Sequence, residues 1–194
     1  MPLSKAHKEK TRRKILDAAG VLFRKHGYDG IGIEQIMAQA GLTRGGFYAH
    51  FDSKADLFAH VLDTEPAFTR MLAERQGATK EDAQNGALDV LATYLDPDNI
   101  AYVTSTCPMV SLARDVDKGG APARAALTNV TAQLTALLKN GMSGSNLDQL
   151  DRRAMAILAL CVGGVTVAQT AADPVLAQKM LRACEDEARR LMLS

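Results

Sequence analysis

Apolar residues recur at helical spacing along almost the whole chain. Near the N-terminus five of them fall at i, i+3, i+4, i+7 and i+8: Ile15, Ala18, Ala19, Leu22 and Phe23. This spacing gives a helix one apolar stripe that can face a core. The same period returns in later stretches, at 80–94, 107–116, 122–139, 148–170 and 174–192. Because no long stretch alternates with period two, the pattern predicts an all-α protein.

Residues 33–51 have the outline of a helix-turn-helix. Two short apolar patterns flank Gly41, and their spacing would pack two helices against each other across a tight turn. In such a unit the second helix enters the major groove of DNA with its N-terminal residues toward the base edges. The residues that this places near DNA are Thr43, Arg44, Gly45, Gly46 and Tyr48.

Two features of this second helix suit DNA. Arg44 can form the bidentate contact with guanine that is the commonest specific contact to a base. Gly45 and Gly46 are unfavourable in a helix, by about 1 kcal/mol each relative to alanine. We expect adjacent glycines where side chains would hold the helix away from the floor of the groove.

The charge of the chain is uneven. Residues 1–60 carry ten Lys and Arg against six Asp and Glu, whereas the remainder carries thirteen against sixteen. Most of the basic excess lies in the first 25 residues, and such clustering is typical of a surface that meets a phosphate backbone. A solvated helix face can carry the same charges, so charge alone leaves both interpretations open.

Several other classes of protein are disfavoured. The three cysteines, Cys107, Cys161 and Cys184, form neither a disulfide framework nor a zinc-ligand spacing, which fits a reducing cytoplasm. No apolar run is long enough to span a bilayer, and the basic N-terminus lacks the apolar region of a secretory signal. The four histidines form no metal-ligand pair, and no phosphate-binding loop follows a strand. We therefore expect no enzyme, metal or cofactor.

The segment 11–57 resembles the DNA-binding domain of the tetracycline-repressor (TetR) family of bacterial transcription regulators. Its most specific elements are Gly27-Tyr28, Ala40-Gly41 and Tyr48-x-His50-Phe51-x-x-Lys54, and the further matches are Ile15, Ala18, Ala19, Phe23, Ile36, Leu42, Phe47 and Leu57. The resemblance implies two sets of DNA contacts, with Tyr48, His50 and Lys54 on phosphates and Thr43, Arg44 and Gly45 on bases.

Two positions depart from the family pattern. Gly32 stands where the family often has a serine or threonine that caps the second helix and touches phosphate. Any contact at this point would therefore have to come from a backbone N–H. Met37 occupies a position that is usually alanine at the helix crossing. A larger side chain there is expected to shift the second helix slightly.

The resemblance also implies how the chain is organised. Residues 1–55 would form a three-helix DNA-binding domain, and residues 56–194 a helical domain that forms a homodimer and encloses a small-molecule pocket. The stretch around Gly163 and Gly164 has almost no polar face and is similar to the dimer-forming end of the family. Its two glycines would let another helix approach closely, and that helix can belong to the same chain or, as we favour, to a symmetric partner. The candidate residues for the pocket are Phe68, Met71, Leu72, Tyr94, Tyr102 and Met109. For each of them, packing in the core is the competing interpretation.

The expected function is that of a repressor that a small-molecule effector releases from a palindromic operator in double-stranded DNA. Cys107 raises a second hypothesis for release, because it precedes Pro108, a residue favoured at the first position of a helix. A thiol at a helix N-terminus can react with oxidants or electrophiles, although free cysteine is more often a small buried apolar residue. The alternative function is an all-α small-molecule or redox sensor that does not bind DNA.

Overall fold

A computed structural model describes residues 5–64 and 67–194, and in this part of the chain every regular element is a helix. The contacts divide the chain into two compact units. The first unit takes the chain up to Thr64 together with Leu112–Asn129. The second takes the intervening segment up to Ser111 and everything from Val130 to Ser194. The all-α prediction is therefore confirmed.

The first unit is built on an aromatic core. Its helices are α1 (Lys5–His26), α2 (Ile33–Gln39), a 3-10 helix (Arg44–Ala49), α3 (Lys54–Asp63), a second 3-10 helix (Ala113–Gly119) and the first part of α8 (Gly120–Asn140). The predicted stripe of α1 is largely buried, and Phe23 meets Phe58 of α3 edge to face with ring centroids 4.9 Å apart. Phe47 and Phe51 are buried in the same core.

Two glycines and a serine set the connections between these helices. Gly27 ends α1 with φ of 73°, and Gly41 turns the chain after α2 with φ of 69°. Only glycine adopts this left-handed backbone readily. Ser53 caps α3, because its hydroxyl oxygen accepts a hydrogen bond of 3.0 Å from the Asp56 N–H. These local signals fix where the short helices begin and end.

The second unit contains longer helices with polar caps. They are α4 (Ala67–Glu74), α5 (Lys80–Leu95), a 3-10 turn (Pro97–Asn99), α6 (Ile100–Thr106), α7 (Pro108–Ser111), the rest of α8, α9 (Leu147–Ala168) and α10 (Pro174–Leu193). Thr79 caps α5, Asn146 caps α9 and Asp173 caps α10, each accepting a hydrogen bond from the first turn. None of the described helices is long and apolar enough to cross a membrane.

The pair α9 and α10 forms the most extensive helix contact of this unit. Buried Arg153 of α9 donates to the Leu191 carbonyl at 2.8 Å and to the Met192 carbonyl at 3.3 Å, at the end of α10. A cation suits the carbonyl end of a helix. Where the two helices cross, a Cβ at Gly164 would meet Sγ of Cys184 at 2.9 Å, so this glycine allows the close approach. Gly163 is exposed instead, and a Cβ at this position would meet no atom within 4 Å.

One predicted helix is wrong. The stretch 107–116 does not form one helix, because α7 ends at Ser111 and the 3-10 helix begins at Ala113. A contact distant in sequence accompanies this break. Asp115 turns its carboxylate inward, where it accepts a hydrogen bond of 3.1 Å from the Tyr28 N–H, and the residue is only 4% exposed.

Candidate nucleic-acid interface and effector cavity

The 3-10 helix at Arg44–Ala49 is anchored by a single ring. Phe47 is fully buried in the core of the first unit, and Tyr48 beside it is 59% exposed. The residues before the ring also face solvent: Thr43, Arg44, Gly45 and Gly46. The structure therefore brings five of the sequence-predicted contact residues together on one exposed surface, and DNA contact by them stays a prediction.

Arg44 is not free in the unbound protein. Its guanidinium forms an ion pair with Glu34 of α2, and both side chains are more than half exposed. Exposed pairs of this kind contribute little to stability, so the guanidinium can exchange its partner at low cost. The sequence pattern did not single out Glu34, which lies in the first turn of α2 and ten positions before Arg44.

Neither glycine of this surface is needed by the protomer. A Cβ at Gly45 would meet nothing within 4 Å, and one at Gly46 would meet only Cε of Met37, at an ordinary 3.7 Å. Neither residue has a positive φ. The conformation of the chain would thus accept alanine at both positions.

His50 lies in a groove of about 420 Å³ beside the 3-10 helix. Three residues of α1 line this groove: His7, Lys8 and Thr11. The sequence did not single them out as DNA contacts. Nδ1 of His50 is buried without a hydrogen-bond partner among the described residues. Burial, followed by the charges of Lys8 and Arg12, lowers the pKa of His50, and Glu9 opposes this shift. The groove thus combines cationic side chains with an unsatisfied ring nitrogen, a setting that suits an anion.

Lys54 begins α3 and lies over an aromatic ring. Its Nζ is 4.4 Å from the centroid of Tyr28, a cation–π distance. Partial burial lowers the pKa of Lys54, the charge of Lys118 adds to this effect and Asp29 opposes it. The ring therefore fixes the position of this cation at the edge of the first unit.

Gln35 supplies a cap at Gly32, the first of the two positions that depart from the family pattern. Gly32 precedes α2, and its N–H donates to Oε1 of Gln35 at 2.7 Å. A Gly32 N–H contact to phosphate would have to displace this bond. Met37, the second departure, is buried in the core beside the 3-10 helix.

The second unit encloses a small apolar cavity of about 40 Å³. Four of the six candidate residues line it: Phe68, Leu72, Tyr94 and Met109. Met71 packs against the core outside the cavity lining, and Tyr102 is 46% exposed with its ring against Phe68. Cys107, the candidate sensor, and Pro108 beside it also line the cavity, and the lining residues that the sequence did not single out as candidates are Val90, Val130, Leu134, Leu138, Ile157, Leu158, Cys161 and Val162.

Cys107 lies in the wall of this cavity at the end of α6, where its N–H donates to the Val103 carbonyl. The thiol is 5% exposed, and the Tyr94 hydroxyl donates to its sulfur at 3.1 Å. The helix that follows has only four residues. Burial also raises the pKa of the neighbouring Cys161 thiol. Sensing by Cys107 stays a prediction, and its surroundings are those of a buried apolar residue.

Within the described residues, no three His, Cys, Asp or Glu side chains come together in an arrangement that could hold a metal ion.

The comparisons with known proteins agree on one family. Residues 15–61 match the model described as bacterial regulatory proteins, tetR family. The chain is 40% identical over 58 residues to the transcriptional regulator AcrR of Shigella flexneri, which is 30% of this chain and 27% of that protein. It is 37% identical over 62 residues to the transcriptional repressor BepR of Brucella suis, or 32% of this chain and 30% of the relative. The chain therefore matches less than a third of the length of either relative.

Solved structures extend the likeness to the whole chain, as a fold. Reduced NemR of E. coli superposes with a TM-score of 0.74 at 19% identity, covering 93% of this chain and 96% of NemR. A TetR transcriptional regulator from Chloroflexus aurantiacus gives 0.70 at 24% identity, covering 94% of each chain. At this identity the fold is shared, and ligands and partners do not follow from it.

Proposed function

Because the chain belongs to the TetR family of bacterial regulatory proteins, we propose that it binds an operator in double-stranded DNA and represses transcription. One observation carries this proposal. The 3-10 helix at Arg44–Ala49 buries one ring and exposes the polar and glycine residues around it. In this function Thr43, Arg44 and Gly45 face base edges.

Phosphate contacts would flank these base contacts. Tyr48 is exposed beside the buried Phe47, His50 lies in the groove next to Lys8, and Lys54 begins α3. A hydroxyl, an imidazole and an ammonium all suit phosphate oxygens, and such contacts position a protein without reading sequence. The basic face of α1 adds charge on the same unit and would add to the salt dependence of binding.

The active species in this function is a homodimer. Helix α9 exposes an apolar stripe at i, i+4, i+8 and i+12, consisting of Met155, Ala159, Gly163 and Val167. Leu176 of α10 is also 53% exposed. An isologous contact between two copies would cover such surfaces. Two DNA-reading units could then meet half-sites one helical turn apart, roughly 34–36 Å, in a palindromic operator.

A small-molecule effector would act through the cavity of the second unit. A ligand shifts a conformational equilibrium only by as much as it prefers one state over the other. Release from DNA therefore requires that the effector bind better to a conformation in which the two DNA-reading units no longer fit both half-sites. The alternative, a sensor that does not bind DNA, is not favoured, because the candidate contact residues are all present and five of them are exposed in or directly before the 3-10 helix.

Selection of genomic fragments by the purified protein, followed by sequencing, tests the proposal and yields the operator. On that operator, Arg44→Ala should lower discrimination between operator and mutated operator by about 1–3 kcal/mol. Lys54→Ala should weaken binding to all DNA alike and reduce its salt dependence. Arg70→Ala removes a similarly exposed arginine of the second unit, paired with Glu74, and should change neither quantity.

Two results would contradict the proposal. One is a failure of the wild-type protein to retain any fragment at low salt. The other is an equal effect of Arg44→Ala and Arg70→Ala on discrimination, which would remove the assigned role of the 3-10 helix.

A further inference from the structure

The cavity of the second unit contains one well-placed hydrogen-bond donor in an otherwise apolar wall. We propose that the effector is an uncharged, mainly apolar molecule with one hydrogen-bond acceptor, which takes the Tyr94 hydroxyl away from the sulfur of Cys107. The inference rests on the proposed function, since it names the chemical class of the ligand for that cavity.

The wall excludes ionised ligands. None of the described residues that line the cavity is charged, and their only side-chain hydrogen-bond donors are the Tyr94 hydroxyl and the weakly donating thiols of Cys107 and Cys161; the thioether of Met109 adds one weak acceptor. An ammonium or a carboxylate that entered would lose its hydration and find no opposite charge. The penalty for an unpaired buried charge exceeds what the apolar contacts of a small ligand return.

Tyr94 is held in position to donate. Its ring is 6% exposed and packs edge to face on Phe68, with centroids 4.5 Å apart. Burial, followed by the proximity of Cys107, raises the pKa of Tyr94, so the phenol keeps its proton. The hydroxyl now donates to Sγ of Cys107 at 3.1 Å, and a thiol sulfur is a weak acceptor. A ligand carbonyl or ether oxygen would therefore replace a weak acceptor with a stronger one.

The size of the cavity links binding to a change in conformation. Its volume is about 40 Å³, whereas an apolar cavity that takes benzene measures about 150 Å³. An effector with one aromatic ring fits only after wall side chains move. Met109, which is partly exposed, is flexible and can make room. Such a ligand binds only to the expanded state. This preference supplies the difference in affinity between two states that a population shift requires.

Four probes with the same ring separate charge from hydrogen bonding: toluene, acetophenone, benzoate and benzylammonium. Each is titrated against the full-length protein without DNA, and the rise of Tm with concentration gives its Kd. We expect acetophenone to bind about tenfold more tightly than toluene, which corresponds to a net hydrogen bond of ordinary strength. Benzoate and benzylammonium should leave the Tm unchanged.

Two variants identify the donor. Tyr94→Phe should weaken acetophenone to the affinity of toluene and leave toluene unaffected. Tyr102→Phe is the matched control, since that ring touches Phe68 but lies outside the cavity lining. Cys107→Ala removes the competing acceptor and should strengthen acetophenone binding several-fold.

The inference is overturned if a charged probe binds as tightly as acetophenone, if none of the four binds, or if the preference for acetophenone survives Tyr94→Phe. Operator release is measured separately by adding acetophenone to the protein–DNA complex. Binding in the predicted order without release supports the ligand class and contradicts the release step of the proposed function. Failure to bind any DNA contradicts the proposed function. The four probes are titrated without DNA, so they still test the ligand class in that case.

Discussion

Two pairs of adjacent glycines each lie within a single described helix, Gly45-Gly46 and Gly163-Gly164, and the protomer explains only one of these four residues. In α9, Gly164 lies against Cys184 of α10, where a Cβ would come within 2.9 Å of the sulfur. Its neighbour Gly163 meets nothing within 4 Å. In the 3-10 helix Gly45 is equally open, and Gly46 has only an ordinary contact at 3.7 Å. None of the four has a positive φ that would require glycine.

The difference shows how to separate packing within a chain from contact with another molecule. A glycine in a helix costs about 1 kcal/mol relative to alanine, so each one is expected to have a compensating contact. For Gly164 the contact is in the protomer. For Gly45 and Gly163 it is not, and both lie on surfaces that the proposed function assigns to a partner, DNA in one case and a second copy in the other.

The strongest test of this comparison is Gly163→Arg. The new side chain points into solvent in the protomer, so the helical content should not change, but it would place bulk and charge in the proposed dimer contact. We expect the dimer dissociation constant in sedimentation equilibrium to rise at least about 100-fold. Operator affinity should fall by about 10²–10⁴, because the second half-site no longer binds intramolecularly.

Gln133→Arg serves as the control for this variant. It adds the same side chain at an exposed position of α8, and the dimer should persist. A Gly163→Arg protein that remains dimeric would show that α9 does not form the contact.

The other glycine of α9 should behave in the opposite way. Gly164→Val forces the side chain against Cys184, and overpacking of this kind lowers the free energy of unfolding by about 1–3 kcal/mol. Chemical denaturation at two protein concentrations separates this loss from any change in dimerisation. The double variant Gly164→Val/Cys184→Ala should regain part of the stability, because the smaller side chain removes the contact at Sγ. Full additivity of the two substitutions would contradict the packing assignment.

Much of the fold follows from local signals in the sequence. The stripe of α1, the left-handed turns at Gly27 and Gly41 and the cap at Ser53 depend on residues within a few positions of each other. The exposed set Thr43–Gly46 and the buried Phe47 likewise follow from helical period and turn position. These features need no knowledge of distant contacts, which is why the pattern predicts them.

The remaining features depend on contacts distant in sequence. Asp115 reaches the Tyr28 N–H across 87 positions, and this contact accompanies the break between Ser111 and Ala113. In the same way, the register of α10 on α9 decides which glycine meets Cys184. The helical period of α9 alone carries no information about this register. The groove residues of α1 lack a specific sequence signal, because a basic N-terminal segment also fits a solvated helix face.

Gly45→Ala tests the comparison at the DNA surface. The substitution meets no atom in the protomer and replaces a poor helix former, so the free energy of unfolding should stay unchanged or rise by up to about 1 kcal/mol. Operator affinity should nevertheless fall about tenfold, because the methyl group separates the helix from the base edges. Gly46→Ala is the matched control and should cost less affinity, since that position faces Met37. Equal affinity of all three proteins in a fluorescence binding assay would remove close approach as the reason for the glycines.

The smallest expected effect is the pH dependence of operator affinity. It concerns a ring nitrogen of His50 that lacks a hydrogen-bond partner, whereas the tests above concern glycines. His50 leaves Nδ1 buried without a partner, and its pKa is lowered by burial first and then by Lys8 and Arg12. A phosphate in the groove would stabilise the protonated ring and raise that pKa. Binding would then take up protons, so operator affinity should increase a few-fold as the pH falls from about 7.5 to 5.5 at constant ionic strength.

Folding responds with the opposite sign. The pKa of His50 is lower in the folded protein than in the unfolded chain, so the stability contributed by the neutral ring is complete above the ordinary histidine pKa and is lost as the pH falls toward the lowered value. Acidification should therefore weaken the fold slightly while it strengthens DNA binding. His50→Gln should remove both trends, whereas His26→Gln, at the exposed end of α1, should keep them. If affinity keeps its pH dependence without His50, the groove does not hold a phosphate through this ring.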